Sequence, residues 1–127
     1  MSRCSDIYPE LDGYLLSMTG VEKDYKPEWD WTRYMIRGKL FCAVCADGTD
    51  SALINVKCEP DFNIQIRDMF EDIDAGYYCN KVHWNAVRLT GSVPFETVCA
   101  MCGRGYSLIM HSFSKKLQAE IAAEAEK

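Results

Sequence analysis

Two Cys-x-x-Cys pairs, Cys42/Cys45 and Cys99/Cys102, have the clearest metal-ligand spacing in the chain. Four thiolates spaced in this way can hold Zn²⁺ in a tetrahedral site. However, the first pair lies in the apolar run 40–46, which is typical of a buried strand, and strand residues three apart point to opposite faces. The second pair fits the packing face of a helix equally well. We therefore expect thiols that pack in the core, with no metal and no cofactor.

Catalytic chemistry has little support in the sequence. The chain contains two histidines, and His111 lies in a predicted helix without a nearby acid. Cys79 and His83 are four residues apart, but no neighbouring group would orient the imidazole. The acidic run 71–74 lacks the alternating oxygen ligands of a calcium loop. We therefore expect that the protein is not an enzyme.

Positive charge is concentrated in two blocks of an otherwise acidic chain. The net charge is −5, whereas residues 31–46 hold three basic and no acidic residues, and residues 75–118 hold five basic and one acidic residue. Aromatic residues lie among these cations, and this combination is typical of nucleic-acid binding. The candidate binding residues are Arg33, Arg37, Lys39, Lys57, Asn80, Lys81, His83, Trp84 and Arg88.

The segment from Asn80 to Trp84 has two interpretations. In the functional one, Lys81 contacts a phosphate, Asn80 or His83 hydrogen-bonds a base or backbone oxygen, and Trp84 provides a stacking face. In the structural one, Trp84 anchors the sheet to a helix, while Asn80 and His83 satisfy backbone groups of the loop.

The hydrophobic periodicity predicts an α+β fold. We expect the whole chain, residues 1–127, to form a single domain. Consecutive strands joined by short turns must be antiparallel, so we expect a two-layer sandwich with the helices packed on one face of the sheet. The segments in order are a helix at 6–18, a loop at 21–30, strands at 31–37, 40–46 and 52–58, a helix at 60–70, an acidic connector at 71–76, a strand at 83–89 and a helical region at 95–117, broken or bent near Gly103 and Gly105.

No apolar run approaches the roughly 20 residues that a membrane helix needs. The first residues also lack the apolar core of a signal peptide. We therefore expect a cytoplasmic protein without a membrane partner. We also expect a monomer.

Five short segments resemble the MmcQ/YjbR family when they are taken in order. Residues 76–87, GYYCNKVHWNAV, are similar to the family's GYHxNKxHW-like segment. Residues 37–41 resemble its GGKMFA hairpin turn, and residues 55–60 its LKCDPE strand-to-helix junction. Residues 104–106 stand at its helical SY pair, and residues 19–21 at its PGV. The resemblance covers about residues 6–117, with Gly105 in place of the family's Ser.

This resemblance implies a small cytoplasmic domain of the CyaY-like, or double-wing, fold group, which usually carries a DNA-binding label. The expected function is therefore a DNA-binding module that uses a basic and aromatic sheet or wing surface on double-stranded DNA. The alternative is a non-enzymatic domain that binds another protein or a small ligand.

Overall fold

A six-stranded antiparallel sheet forms one layer of the protein, in the strand order β1-β2-β3-β4-β6-β5. The computed structural model describes residues 3–76 and 80–125. The strands are β1 (Val21–Lys26), β2 (Trp31–Ile36), β3 (Lys39–Cys45), β4 (Leu53–Lys57), β5 (Ile73–Ala75) and β6 (Trp84–Arg88). The helices are α1 (Cys4–Ile7), α2 (Leu11–Ser17), α3 (Pro60–Met69), α4 (Phe95–Ser112) and α5 (Lys115–Ala125).

The helices pack on one face of this sheet, which confirms the predicted α+β two-layer architecture. A single buried cluster joins helix side chains such as Leu15, Met101 and Ile121 to the strand side chains Ile36 and Val56. Burial of this apolar surface is the main source of folding free energy. Within residues 3–76 and 80–125, no helix is long and apolar enough to cross a membrane.

The opposite face of the sheet has no helix over it in the described part of the chain, and we call it the helix-free face. Side chains alternate along strands, so the register assigns its members. A small second cluster there consists of strand residues alone, centred on Trp31, Ala43 and Cys45. The strand side chains on the helix-free face are Glu22, Asp24, Lys26, Trp31, Arg33, Met35, Leu40, Ala43, Cys45, Leu53, Asn55, Lys57, Asp74, Trp84, Ala86 and Arg88.

Both edge strands were missed by the sequence prediction. Residues 21–26 form β1 rather than a loop, and residues 73–75 of the predicted connector form β5. Four of the six residues of β1 are exposed, since the strand pairs only with β2. Charged edge strands protect a sheet against pairing with another chain, and their polarity hides them from a hydrophobic-pattern search.

The predicted helix boundaries also need correction. The helix expected at 6–18 is two short helices, α1 and α2, on either side of Pro9. The last predicted helix is not broken at its glycines: α4 continues through Gly103 and Gly105, and it ends at Ser112 rather than near Leu117. The hairpin turn lies at Arg37 and Gly38, whose φ angles of 50° and 79° are the positive values that a type I′ turn requires.

Gly105 allows α4 to approach the sheet closely. A Cβ atom at this position would lie 2.5 Å from the backbone oxygen of Lys57 and 3.3 Å from that of Phe41. Backbone atoms of two central strands cannot move aside as a flexible side chain would. Gly105 therefore fixes the distance between α4 and the sheet.

We expect Gly105→Ala to lower the free energy of unfolding by about 1–3 kcal/mol, because the added methyl group overpacks the contact between α4 and the sheet. Gly13→Ala is the matched control, since Gly13 also lies in a helix but a Cβ atom added there would meet nothing within 4 Å. That substitution should raise the stability by about 0.5–1 kcal/mol. Urea denaturation measures both, and equal effects of the two substitutions would contradict the close-contact explanation.

Candidate nucleic-acid interface

The loop from Asn80 to Trp84 is held by hydrogen bonds of its own backbone. The Asn80 side-chain oxygen accepts a hydrogen bond from the Val82 N–H at 2.8 Å. The Asn80 carbonyl accepts from the N–H groups of His83 and Trp84, and the His83 carbonyl accepts from the Cys58 N–H. Asn80 therefore has the structural role that the second interpretation assigned to it.

Two buried asparagines connect this loop to α3 and to β6. The Asn63 side-chain amide donates to the carbonyls of Cys58 at 3.1 Å and Val82 at 2.8 Å. Asn85 in turn donates to the Asn63 side-chain oxygen at 2.6 Å. Both side chains are fully buried. An unmade hydrogen bond in such a position is costly, so each amide restricts the loop to one conformation.

Arg67 completes this network, which we call the amide–guanidinium network: Asn63, Arg67 and Asn85. The Arg67 guanidinium donates to the Asn85 side-chain oxygen at 2.9 Å, to the Lys81 carbonyl at 2.7 Å and to the Trp84 carbonyl at 2.8 Å. Partial burial lowers the pKa of Arg67 from its usual value, because it disfavours the charged form. The guanidinium still remains protonated at neutral pH.

The sequence prediction missed all three members of the amide–guanidinium network. Asn85 occupies a core-facing position in β6, and Asn63 lies on the buried side of α3 beside Ile66. Asn63 and Asn85 are polar residues at positions that the hydrophobic pattern assigns to the core. Such residues are uncommon, so they could have been selected from the sequence.

Four of the predicted site residues lie close together around the end of β6. Lys57 and Trp84 are direct cross-strand partners, and Lys81 and His83 are exposed on the adjoining loop. The Trp84 side chain is half-buried, so part of the indole is accessible. Among residues 3–76 and 80–125, no ion pair involves Lys57 or Lys81. We call Lys57, Lys81, His83 and Trp84 the lysine–tryptophan surface.

The predicted arginines are each paired with a carboxylate. Arg33 makes two hydrogen bonds to Asp24, at 2.8 and 2.5 Å, and these bonds hold the pKa of Asp24 below its usual value. The other two pairs are Arg37 with Glu124 at 2.8 Å and Arg88 with Asp74 at 2.7 Å.

The other predicted basic residues lie apart from the lysine–tryptophan surface. Lys39 lies 5.1 Å from the ring centre of Phe113, and Arg37 contacts α5, so this hairpin tip faces the helix layer. Arg88 and Arg33 share the helix-free face with Trp84, but the register places Arg88 at the opposite end of β6. The structure therefore divides the predicted patch into separate parts.

The Cys-x-x-Cys pairs do not form a four-thiolate cluster. Cys42 faces the helix layer and Cys45 the helix-free face, as strand geometry predicts. The sulfur atoms of Cys42 and Cys102 are 3.9 Å apart in the core. Burial raises the pKa of the Cys4 and Cys58 thiols to about 12. Within the described ranges, no three His, Cys, Asp or Glu side chains could hold a metal ion. Residues 77–79, with the Cys79 of the suggested dyad, lie outside the described residues.

Solved structures match most of this architecture. Protein DR2400 of Deinococcus radiodurans, which has a DUF419 domain, aligns with a TM-score of 0.81 over 90% of this chain and 86% of its own, at 19% identity. A Pseudomonas syringae protein aligns with a TM-score of 0.63 over 85% of this chain and 98% of its own, at 18% identity. The chain is thus an α+β domain of the class that these structures represent.

The family is established by sequence. The YjbR family model matches residues 16–108, and the chain belongs to this family, as its five motifs indicate. The YjbR protein of Escherichia coli K12, described as uncharacterized, is 25% identical over 97 residues, which cover 76% of this chain and 81% of that protein. These similarities establish the family and the fold.

We expect Asn63→Ala and Asn85→Ala each to lower the free energy of unfolding by about 1–3 kcal/mol, because each leaves a buried polar partner without a hydrogen bond. The double substitution should cost less than the sum of the two, since the residues contact each other. Urea denaturation of the four proteins in this cycle measures the coupling. Strict additivity would show that the amide–guanidinium network does not act as a unit.

Proposed function

We propose that the protein is a non-enzymatic binding module that contacts the phosphate backbone of DNA through the lysine–tryptophan surface. The observation that supports this proposal is the position of Lys57 directly opposite Trp84 and of the exposed Lys81 on the adjoining loop, with no carboxylate partner on either lysine in the described part of the chain. An ammonium group without a protein partner can be neutralised by a phosphate at little cost.

The shape of the loop also supports this proposal. The carbonyls of Lys81 and Trp84 are held by Arg67, so the backbone that carries the Lys81 side chain is ordered before any partner binds. Binding then requires ordering of the lysine side chains but not of the loop, which lowers the entropy cost.

The acidity of the chain as a whole limits the size of the interface. A net charge of −5 repels a polyanion at long range, so binding depends on local cations and weakens as salt rises. Arg33 and Arg88 can add contacts, because exposed ion pairs are weak and a phosphate can compete with Asp24 and Asp74. The proposal includes a monomer in the cytoplasm, as the sequence predicts.

We expect the double variant Lys57→Glu/Lys81→Glu to lose most of the affinity for a short DNA duplex, measured by fluorescence anisotropy at about 50 mM salt. Where binding remains measurable, the slope of log affinity against log salt should fall by about 2, because two phosphate contacts are lost. The matched control is Lys115→Glu/Lys116→Glu, which changes the net charge equally on α5.

Three outcomes separate the alternatives. Loss of binding only in the first variant supports the proposal. An equal loss in both variants shows a dependence on net charge alone, and overturns the assignment of this surface. If the unmodified protein does not bind DNA at low salt, the proposed function is wrong, and the alternative of a protein or small-ligand partner takes its place.

A further inference from the structure

Trp29 is a large exposed aromatic residue that the sequence prediction did not select. It lies in the turn between β1 and β2, and 54% of its surface is exposed. Its ring centre is 5.4 Å from that of Trp31, with the two rings nearly perpendicular. The Lys26 ammonium lies 5.1 Å from the ring centre, and the Arg33 guanidinium carbon lies 5.9 Å from it. All three neighbours belong to the helix-free face, so the Trp29 indole lies at a corner of that face.

The turn that carries Trp29 is well connected to the sheet. The Trp29 N–H donates to the Lys26 carbonyl at 3.2 Å, and the Asp30 carbonyl accepts from the Ala46 N–H at 3.0 Å. The Asp30 side chain accepts a hydrogen bond from the Tyr25 hydroxyl at 2.8 Å. Asp30 itself has a φ of 55°, a left-handed conformation that these contacts maintain. The indole is therefore held out to solvent by an ordered turn.

Charge on the helix-free face differs from that of the chain as a whole. The strand side chains of this face include four basic residues, Lys26, Arg33, Lys57 and Arg88, and three acidic ones, Glu22, Asp24 and Asp74. The balance of these strand side chains is +1, whereas the chain carries −5. The turn that carries Trp29 adds two acidic residues, Glu28 and Asp30, at its own corner. Two of the four cations flank Trp29, and a third, Lys57, is the cross-strand partner of Trp84. The face therefore combines indole surfaces with cations at two of its corners.

We infer that the helix-free face binds an unpaired DNA strand, with one base stacked on Trp29 and the adjacent phosphates on Lys26 and Arg33. The strand would run diagonally towards Trp84, which lies about 20 Å from Trp31, the neighbour of Trp29, given three strand spacings and four residues of offset. Bases of an intact duplex are stacked on each other and present no free face, so an indole platform favours single strands. This inference rests on the proposed function and specifies its substrate class.

The test compares a twelve-nucleotide single strand of thymidines with a duplex of the same length, by anisotropy at equal salt. The unmodified protein should bind the single strand more tightly. Trp29→Ala should weaken single-strand binding by about 5- to 100-fold, the typical effect of removing one stacking contact, and should leave duplex binding nearly unchanged. Trp29→Phe retains an aromatic face and should preserve most of the affinity, whereas Trp29→Leu should not.

Leu16→Ala is the matched control, because Leu16 is a similarly exposed large apolar residue, at 43%, in the helix layer. It should change neither affinity. If single strand and duplex bind equally, and Trp29→Ala has no effect while Lys57→Glu/Lys81→Glu weakens both, the stacking inference is overturned and the proposed function stands. If Trp29→Phe fails as severely as Trp29→Leu, stacking is also excluded. Absence of binding to either DNA overturns both proposals.

Discussion

The structure depends most on the contact of one guanidinium group with the loop before β6. Arg67 extends from α3 to the carbonyls of Lys81 and Trp84 and to the Asn85 side chain, and Asn63 supplies the remaining hydrogen bonds. Buried polar groups must find partners, so this network permits one arrangement of the loop. Asn63 and Asn85 are fully buried and Arg67 is partly buried, while the side chains of Lys81 and His83 are exposed. The distinctive NKVHWN sequence thus combines residues that build the loop with residues that the loop presents to solvent.

The second constraint is that the described helices all occupy one side of the sheet. Close packing of α4 at Gly105 buries the helix layer against β3 and β4, and it leaves the other side to the strands alone. All three tryptophans of the chain, Trp29, Trp31 and Trp84, are on that side. The core on the helix side buries other aromatic side chains, Tyr8, Tyr34 and Phe41, whereas the three tryptophans lie on the helix-free face. This distribution is the main reason to look for a partner there.

Elements with a regular hydrophobic pattern can be predicted from the sequence. Edge strands cannot, because they form only when a neighbouring strand is there to pair with them. Strands β2, β3 and β4 and helix α3 were predicted nearly to the residue, because alternating or helical burial marks them. Strands β1 and β5 were missed because edge strands need no apolar face. The same limit applies to the site. Lys81 and Trp84 could be selected by residue type, but Trp29 stands in a polar, proline-containing segment that becomes a rigid corner only when β1 pairs with β2. The carboxylate partners of Arg33, Arg37 and Arg88 could not be assigned from the sequence, because the sheet register and the packing of α5 bring them together.

The most direct test of the account uses the three indole N–H groups as reporters of the helix-free face. A ¹H–¹⁵N correlation spectrum of the labelled protein resolves one signal for each tryptophan, and each can be assigned by single Trp→Phe substitutions. On titration with a twelve-nucleotide strand of thymidines, the account predicts that the Trp29 and Trp84 indole signals shift together and saturate at the same DNA concentration. Shifts confined to backbone amides of α4 and α5, with both indole signals unmoved at saturation, would contradict it.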